Sequence, residues 1–309
     1  MTVASAPAPL DEAQAEAVRH RGGPLLVLGG PGTGRTHVLE QRYLALAAGP
    51  LRPHQVLLLC TNRAYAVDAR DRLAWALPDA ATIEVPVYTW HALAYHLVSR
   101  YHPRLGYREP PVLLTGPEQW GLVRELLAAE HPSVWGRWAE RLGDRGFVDE
   151  VADFCLRVGQ RLVPDEDLAL LAGHRADWAE VVRFHAGYRD HLRAEARLDY
   201  AGLIAAAVRL LDENDDVRDA LRRRFPHVLV DDGQEMSHAH RELLRRLETA
   251  DLVVAADPDS GIETFRGAAP DWLYGFARWF GAHRTLTLPT SFRLGAPLAD
   301  GAARLIAHN

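Results

Sequence analysis

The sequence has no lysine: all 35 basic residues of the 309-residue chain are arginine. Alanine and arginine are abundant while isoleucine and asparagine are scarce. That is the bias of a high-GC genome, and it offers a neutral route from lysine to arginine. Cysteine is nearly missing too. Cys60 and Cys155 alone provide neither a disulfide framework nor a metal-ligand spacing. No apolar run is long enough to span a bilayer and no secretory leader is recognisable, so the expectation is a cytoplasmic protein with no membrane partner. Positive charge is not in excess either. The net charge of −6 gives no bulk electrostatic argument for nucleic acid, which leaves a local basic track as the only route to it. No internal repeat is present. What remains is ordinary globular material, 48% hydrophobic and 25% charged, enough to bury the cores of about two domains.

The most informative stretch is Gly29-Gly30-Pro31-Gly32-Thr33-Gly34-Arg35-Thr36. It follows the apolar run 24–28 and precedes a helix-like run over 37–48. Strand, glycine loop and helix form the setting in which backbone amides and a helix N-terminus cradle phosphate. The pattern is G-x-x-x-x-G-K-[ST] with arginine in place of lysine. Upstream, residues 10–20 have helical character, with Asp11 as N-cap.

Further apolar runs at 56–60, 82–88, 225–230, 251–257 and 285–288 alternate with helix-like segments. Several end in polar residues: Thr61-Asn62-Arg63, Thr89-Trp90-His91, Asp231-Asp232 and Asp257. Buried parallel strands read as continuous apolar runs. The alternation predicts an α/β protein with helices on both faces of a parallel sheet, and ligands bind at the carboxyl ends of such strands. Residues 104–193 break the alternation with about ninety mostly helical positions, an insertion between sheet strands. Trp120, Trp135, Trp138 and Trp178 fall there and read as packing residues. His174, His185 and His191 lack a metal-binding constellation.

Nucleotide hydrolysis needs a phosphate cradle, a magnesium holder, a water activator and a cation at the transferred phosphoryl group. The loop supplies the cradle. The Thr36 hydroxyl can sit on magnesium, Asp231 can hold the metal's water shell, and Asp232 can orient the attacking water.

In this order the motifs resemble superfamily 1 DNA helicases of the UvrD/Rep/PcrA and RecB type, from about Leu10 to the C-terminus. The resemblance implies a RecA-like P-loop NTPase sheet with an inserted helical subdomain, ATP and Mg2+ as cofactors, and 3′-to-5′ movement on single-stranded DNA in repair or recombination. It makes Gln14 an adenine contact. It gives Gly30, Pro31, Gly32, Thr33, Gly34, Arg35 and Thr36 to the nucleotide phosphates and magnesium, and Asp231 to the metal. It makes Asp232 and Arg35 catalytic. Ser291-Phe292-Arg293 resembles the segment where Phe292 stacks on the base and Arg293 is the arginine finger. Thr61, Asn62, Thr89, Trp90, His91, Phe265 and Arg266 would line the DNA track. The implied domains are a first motor domain over 1–103 and 196–283, a helical insertion over 104–195, and the start of a second motor domain over 284–309. A second motor lobe is the implied partner. The family also includes two-subunit helicase–nucleases of the AdnAB type, so a helicase–nuclease subunit is a further implied partner.

Several positions depart from the family pattern. Arg35 stands for lysine, Asp232 for glutamate, Ser260 for a γ-phosphate-sensing glutamine and His37 for an arginine near the base. Cys60 and Glu263 replace aromatics on the DNA side. Codon drift accounts for Arg35 alone but not for the group. The sequence therefore supports a relaxed motor that binds nucleotide, with hydrolysis slow or absent. The alternative is a catalytically weakened nucleotide- and DNA-binding scaffold subunit. A P-loop kinase is disfavoured, because Thr89-Trp90-His91 and Phe265-Arg266-Gly267-Ala268 would have no role in one.

Overall fold

The computed structural model describes residues 9–49, 51–77, 84–175, 178–247, 249, 251–262 and 267–307. The strands in chain order are β1 (Leu25–Gly29), β2 (Val56–Cys60), β3 (Val87–Thr89), β4 (Val112–Leu113), β5 (Arg197–Leu198), β6 (His227–Val230), β7 (Asp251–Ala256) and β8 (Arg284–Leu288). The helices that matter below are α1 (Glu12–Arg19), α2 (Arg35–Ala47), α3 (Arg63–Ala76), α4 (Trp90–Arg100), α5 (Gly116–Ala129), α6 (Arg145–Arg161), α7 (Asp165–His174), α8 (Ala179–Ala194), α9 (Tyr200–Glu213), α10 (Asp215–Arg224), α11 (His238–Leu247), α12 (Phe276–Phe280) and α13 (Ala296–Ile306). None of the described helices is long and apolar enough to cross a membrane.

The chain divides into two compact units. One contains residues 1–90, 218–236 and 247–309 and is built on a six-stranded parallel sheet in the order β3-β2-β6-β7-β1-β8. All five residues of β2 and all six of β7 are buried, as expected of strands covered on both faces. Val38, Leu39 and Tyr43 of α2 join Leu25, Val27, Leu58 and Val253 of the sheet in one core. Fully buried Tyr43 donates its hydroxyl proton to Pro53 O at 2.8 Å. Helix α1 opens on Asp11 with a capping box: Gln14 N donates to Asp11 Oδ1 at 2.8 Å, and Asp11 N donates to Gln14 Oε1 at 3.0 Å.

Residues 284–288, where sequence placed the start of a second motor domain, form β8, paired in parallel along the whole of β1 from Leu25↔Arg284 to Gly29↔Leu288. The following α13 has no buried residue.

The second unit contains residues 91–217 and 237–246 and is helical, with the short parallel pair β4–β5. It is larger than the expected insertion over 104–195. The physical reason is visible at α9, which packs on α6 so closely that a Cβ on Gly159 would come within 2.8 Å of Ala201 Cβ. The core of this unit gathers Leu127, Trp135, Phe147, Val148, Phe184 and Tyr188. Trp135 is fully buried and donates Nε1–H to Glu130 Oε2 at 3.1 Å, while Trp120, Trp138 and Trp178 flank the same core partly exposed.

His185 of α8 is buried in this core. Burial lowers its pKa to about 4, with the Arg189 charge adding to the fall and Asp165 opposing it. The unfolded chain takes up that proton near pH 6.5 and the folded chain only near pH 4. Stability therefore rises with pH across that window and is lost as pH falls through it. Asp231, raised to about 6, acts in the opposite sense, so comparison with a variant isolates the histidine. Between pH 7 and pH 5, His185→Leu is expected to lose less stability than wild type by about 1–2 kcal/mol. Urea unfolding at the two pH values measures it, and equal losses would show that His185 does not titrate in this way.

Candidate functional site

The carboxyl ends of β1, β6 and β7 bring the sequence-singled residues of the first unit together. Gly34 is the N-cap of α2 and adopts φ +83°, and Gly32 adopts φ +78°; both lie in the left-handed region that favours glycine. A Cβ on Gly32 would meet Arg293 Cβ at 2.5 Å and Ser291 Oγ at 2.9 Å. A Cβ on Gly34 would meet Gln14 Nε2 at 2.6 Å. Thr33 is buried, and its hydroxyl donates to Gly30 O at 2.9 Å.

Thr36 lies in the first turn of α2 and donates its hydroxyl proton to Asp231 Oδ2 at 2.6 Å. Asp231 follows β6 and is 3% exposed. Burial and the neighbouring Asp232 charge push its carboxyl up to about 6, against the opposing Thr36 hydroxyl, Asp232 backbone N–H and Arg35 charge. Asp232 has φ +52°, ψ +49°, a left-handed geometry that aspartate tolerates better than most residues other than glycine. Its Oδ1 accepts from Gln234 Nε2 at 3.0 Å.

Arg35 lies folded over the loop. Its Nη1 donates to Gly29 O, to Gly30 O at 3.0 Å and to Asp257 Oδ2 at 3.3 Å, and its Nη2 lies 3.9 Å from Asp232 Oδ1. A planar fork with five N–H groups can hold several such acceptors at once, which a compact ammonium does less well.

Gln14 is 2% exposed, with its amide already engaged: Oε1 accepts from Asp11 N, and Nε2 donates to Thr33 O at 2.9 Å. It therefore braces the loop from α1. Phe292 and Arg293 reach the same place from the end of β8. Phe292 N donates to Gly32 O at 2.9 Å and Ser291 Oγ donates to Pro31 O at 2.9 Å, while the Phe292 ring is 62% exposed. Gly30, the residues from Gly32 to His37, Glu40, Arg72, Phe292 and Arg293 enclose an open cavity of 440 Å³.

A second cavity of 540 Å³ lies on the far side of Arg35, between Thr61, Asn62, Asp232, Glu235 and Ser260. Thr61 and Asn62 thus reach the site, but Asn62 also caps α3, accepting from Ala64 N at 2.8 Å and Tyr65 N at 3.2 Å. Cys60 beside them is buried, and burial with the Asp231 charge pushes its thiol up to about 12. Thr89 ends β3. Trp90, expected from sequence on the DNA track, is 1% exposed. His91 falls in the helical unit, edge-on to Tyr200 and His240. Phe265, Arg266 and Glu263 lie outside the described residues.

Two residues given no site role from sequence, Gln234 and Asp257, take part in the contacts here. Gln234 spans β6 and β7, donating to Asp232 and accepting from Asp257 N at 3.0 Å. Asp257 is 3% exposed and is the Arg35 partner. Its position directly after a buried apolar strand was the available signal.

Among the described residues no cluster of three or more metal-ligating side chains occurs. A hydroxyl and a carboxylate at hydrogen-bond distance beside a phosphate cradle still fit magnesium, which usually takes one or two carboxylates plus substrate phosphate oxygens. The loop backbone fits a phosphate chain, because Gly30 has open space where a Cβ would stand, and Gly32 and Gly34 hold φ values that side chains resist.

Residues 10–280 match the family model described as UvrD/REP helicase N-terminal domain. ATP-dependent DNA helicase UvrD1 of Mycobacterium leprae is 26% identical over 315 residues, covering 97% of this chain and 40% of the relative. DNA helicase IV of Escherichia coli K12 is 27% identical over 338 residues, covering 97% and 47%. ATP-dependent DNA helicase PcrA of Staphylococcus epidermidis is 23% identical over 304 residues, covering 97% and 40%. The chain thus spans less than half the length of these relatives.

Proposed function

Since the chain belongs to the UvrD/REP helicase N-terminal domain family, we propose that it binds magnesium–ATP at the Gly29–Thr36 loop and couples slow hydrolysis to 3′-to-5′ movement on single-stranded DNA. The observation that carries this reading is the Thr36 hydroxyl 2.6 Å from Asp231 at the foot of a loop held open by left-handed glycines. The relatives are named ATP-dependent DNA helicases, which does not favour the scaffold alternative.

Thr36 and Asp231 would hold Mg2+, which when bound neutralises charge on the phosphate oxygens. The loop amides orient the phosphate chain, and the α2 N-terminus adds its positive dipole end. Asp232 is placed to accept a proton from an attacking water at its free Oδ2. Arg293 stands at the lip of the cavity as the cation for the transferred phosphoryl group. Phe292 offers its exposed ring to the base. A second motor lobe would close the open side of the cavity.

Slow turnover follows from Arg35. Its contacts with two loop carbonyls and Asp257 must yield before the guanidinium can follow the phosphoryl group, and a misplacement of ~1 Å costs on the order of a hundredfold. Arg35→Lys is expected to raise DNA-stimulated ATPase turnover by about tenfold or more in the protein joined to its second lobe. Steady-state hydrolysis of both forms is the measurement. Equal rates would remove Arg35 as the cause, and no hydrolysis by either form would defeat the motor reading.

A further inference from the structure

The helical unit contains a cavity that the nucleotide site does not use. It measures 360 Å³ and opens between α6, α8 and α9. Its lining includes the apolar Cys155, Val158, Leu192 and Ala206, with buried Tyr188, His185 and Asp199 beside them. The α9 residues that line it are small at Gly202, Ala205 and Ala206. Its volume is that of a pocket for one small apolar group.

The lining holds four arginines against two carboxylates, Asp165 and the buried Asp199, which accepts from Tyr188 and Gly202 N. The arginines are Arg189 and Arg193 of α8, Arg197 of β5 and Arg209 of α9. Their own ion pairs do not neutralise this excess. Arg189 meets Asp165, while among the described residues Arg197 pairs with Glu195 at 3.5 Å and Arg209 with Glu213 at 3.9 Å, both exposed pairs of little strength, and Arg209 also donates to Leu105 O at 3.4 Å. No carboxylate among the described residues pairs with Arg193. Tyr107 lies in the same wall, close enough that the Arg209 and Arg193 charges both act against the burial that raises its phenol pKa.

We propose that this cavity is a docking site for an acidic peptide with one apolar anchor. The anchor side chain fills the space over Val158, Leu192 and Ala206, and the flanking carboxylates lie on the arginine rim. A free amphipathic anion brings one head group, whereas four guanidiniums on three elements match several carboxylates in a row. A single DNA strand fits less well, because the Tyr188 and His185 rings of the lining are buried and only Tyr107 offers a half-exposed ring to a base.

The test is fluorescence anisotropy with a labelled peptide of four aspartates ending in leucine and phenylalanine, titrated with the whole chain. Saturable binding with Kd of about 10–100 μM is expected, weakened at least tenfold when the two apolar residues become serine. Arg193→Glu is expected to weaken it at least about tenfold by reversing a rim charge, and Ala205→Met to do the same by filling the cavity, with thermal unfolding of both variants near wild type. Equal binding of the serine-tipped peptide would overturn the proposal. So would displacement by a thymidine oligonucleotide with Ala205→Met unaffected, which would assign the rim to DNA. Absence of saturable binding up to ~1 mM would overturn it as well.

Discussion

Arg42→Ala is expected to destabilise the sheet unit by about 3–5 kcal/mol, because it leaves the buried Asp251 carboxylate with only His227 Nδ1, 3.2 Å away, as an ionisable partner among the described residues. Arg42 is fully buried. Its Nη2 lies 2.7 Å and 2.9 Å from the two Asp251 oxygens, and its Nη1 donates to Ala17 O, Val18 O and His20 O at 3.3, 3.2 and 2.7 Å. One side chain on α2 therefore satisfies the last carbonyls of α1 and the acid that opens β7. Burial lowers the Arg42 pKa while Asp251 raises it, and against its own burial the Asp251 carboxyl is held below its usual range by His227 and Arg42 together. The double change Arg42→Met with Asp251→Leu is expected to recover most of the loss, since apolar replacement of a buried pair is often neutral. Urea unfolding distinguishes the cases. A cost below ~1 kcal/mol for Arg42→Ala would show that the pair is not a structural tie.

Gly32→Val is expected to abolish nucleotide binding, lowering affinity by at least about a hundredfold. The left-handed backbone at φ +78° costs a β-branched residue roughly 1–2 kcal/mol or more. The new Cβ would also strike Arg293 Cβ at 2.5 Å. That segment cannot retreat freely, because Phe292 N is bound to Gly32 O at 2.9 Å and Ser291 to Pro31 O. The loop must open or the Ser291–Arg293 segment must leave, and either change removes a wall of the cavity. Binding of a fluorescent ATP analogue, alongside a melting curve, separates loss of the site from loss of the fold. Retained affinity would mean that the loop does not hold phosphate.

The sheet was legible because parallel strands buried on both faces leave continuous apolar runs, as 56–60 and 251–256 do. The loop and the Asp11 cap were legible because both depend on short-range spacing. The place of β8 was not. Only Leu288 of its five residues is buried, an edge-strand pattern that does not identify its neighbour. The extent of the helical unit depended on the close approach of Gly159 and Ala201, residues 42 apart that no local pattern connects. Within the site, sequence gave the residue types at Gln14, Trp90 and Arg35. It did not show that the Gln14 amide is engaged, that Trp90 is buried, or that Arg35 folds back on Asp257. Those properties arise from side-chain geometry after folding.

The most direct test of the account is calorimetric titration of the chain with ATP, with and without Mg2+, beside Asp231→Asn. The expected result is one-to-one binding that strengthens with Mg2+ in the wild type and loses most of that gain in Asp231→Asn. Binding indifferent to both Mg2+ and Asp231, or no binding at all, would contradict the assignment of Gly29–Thr36 and Asp231 as a magnesium–nucleotide site.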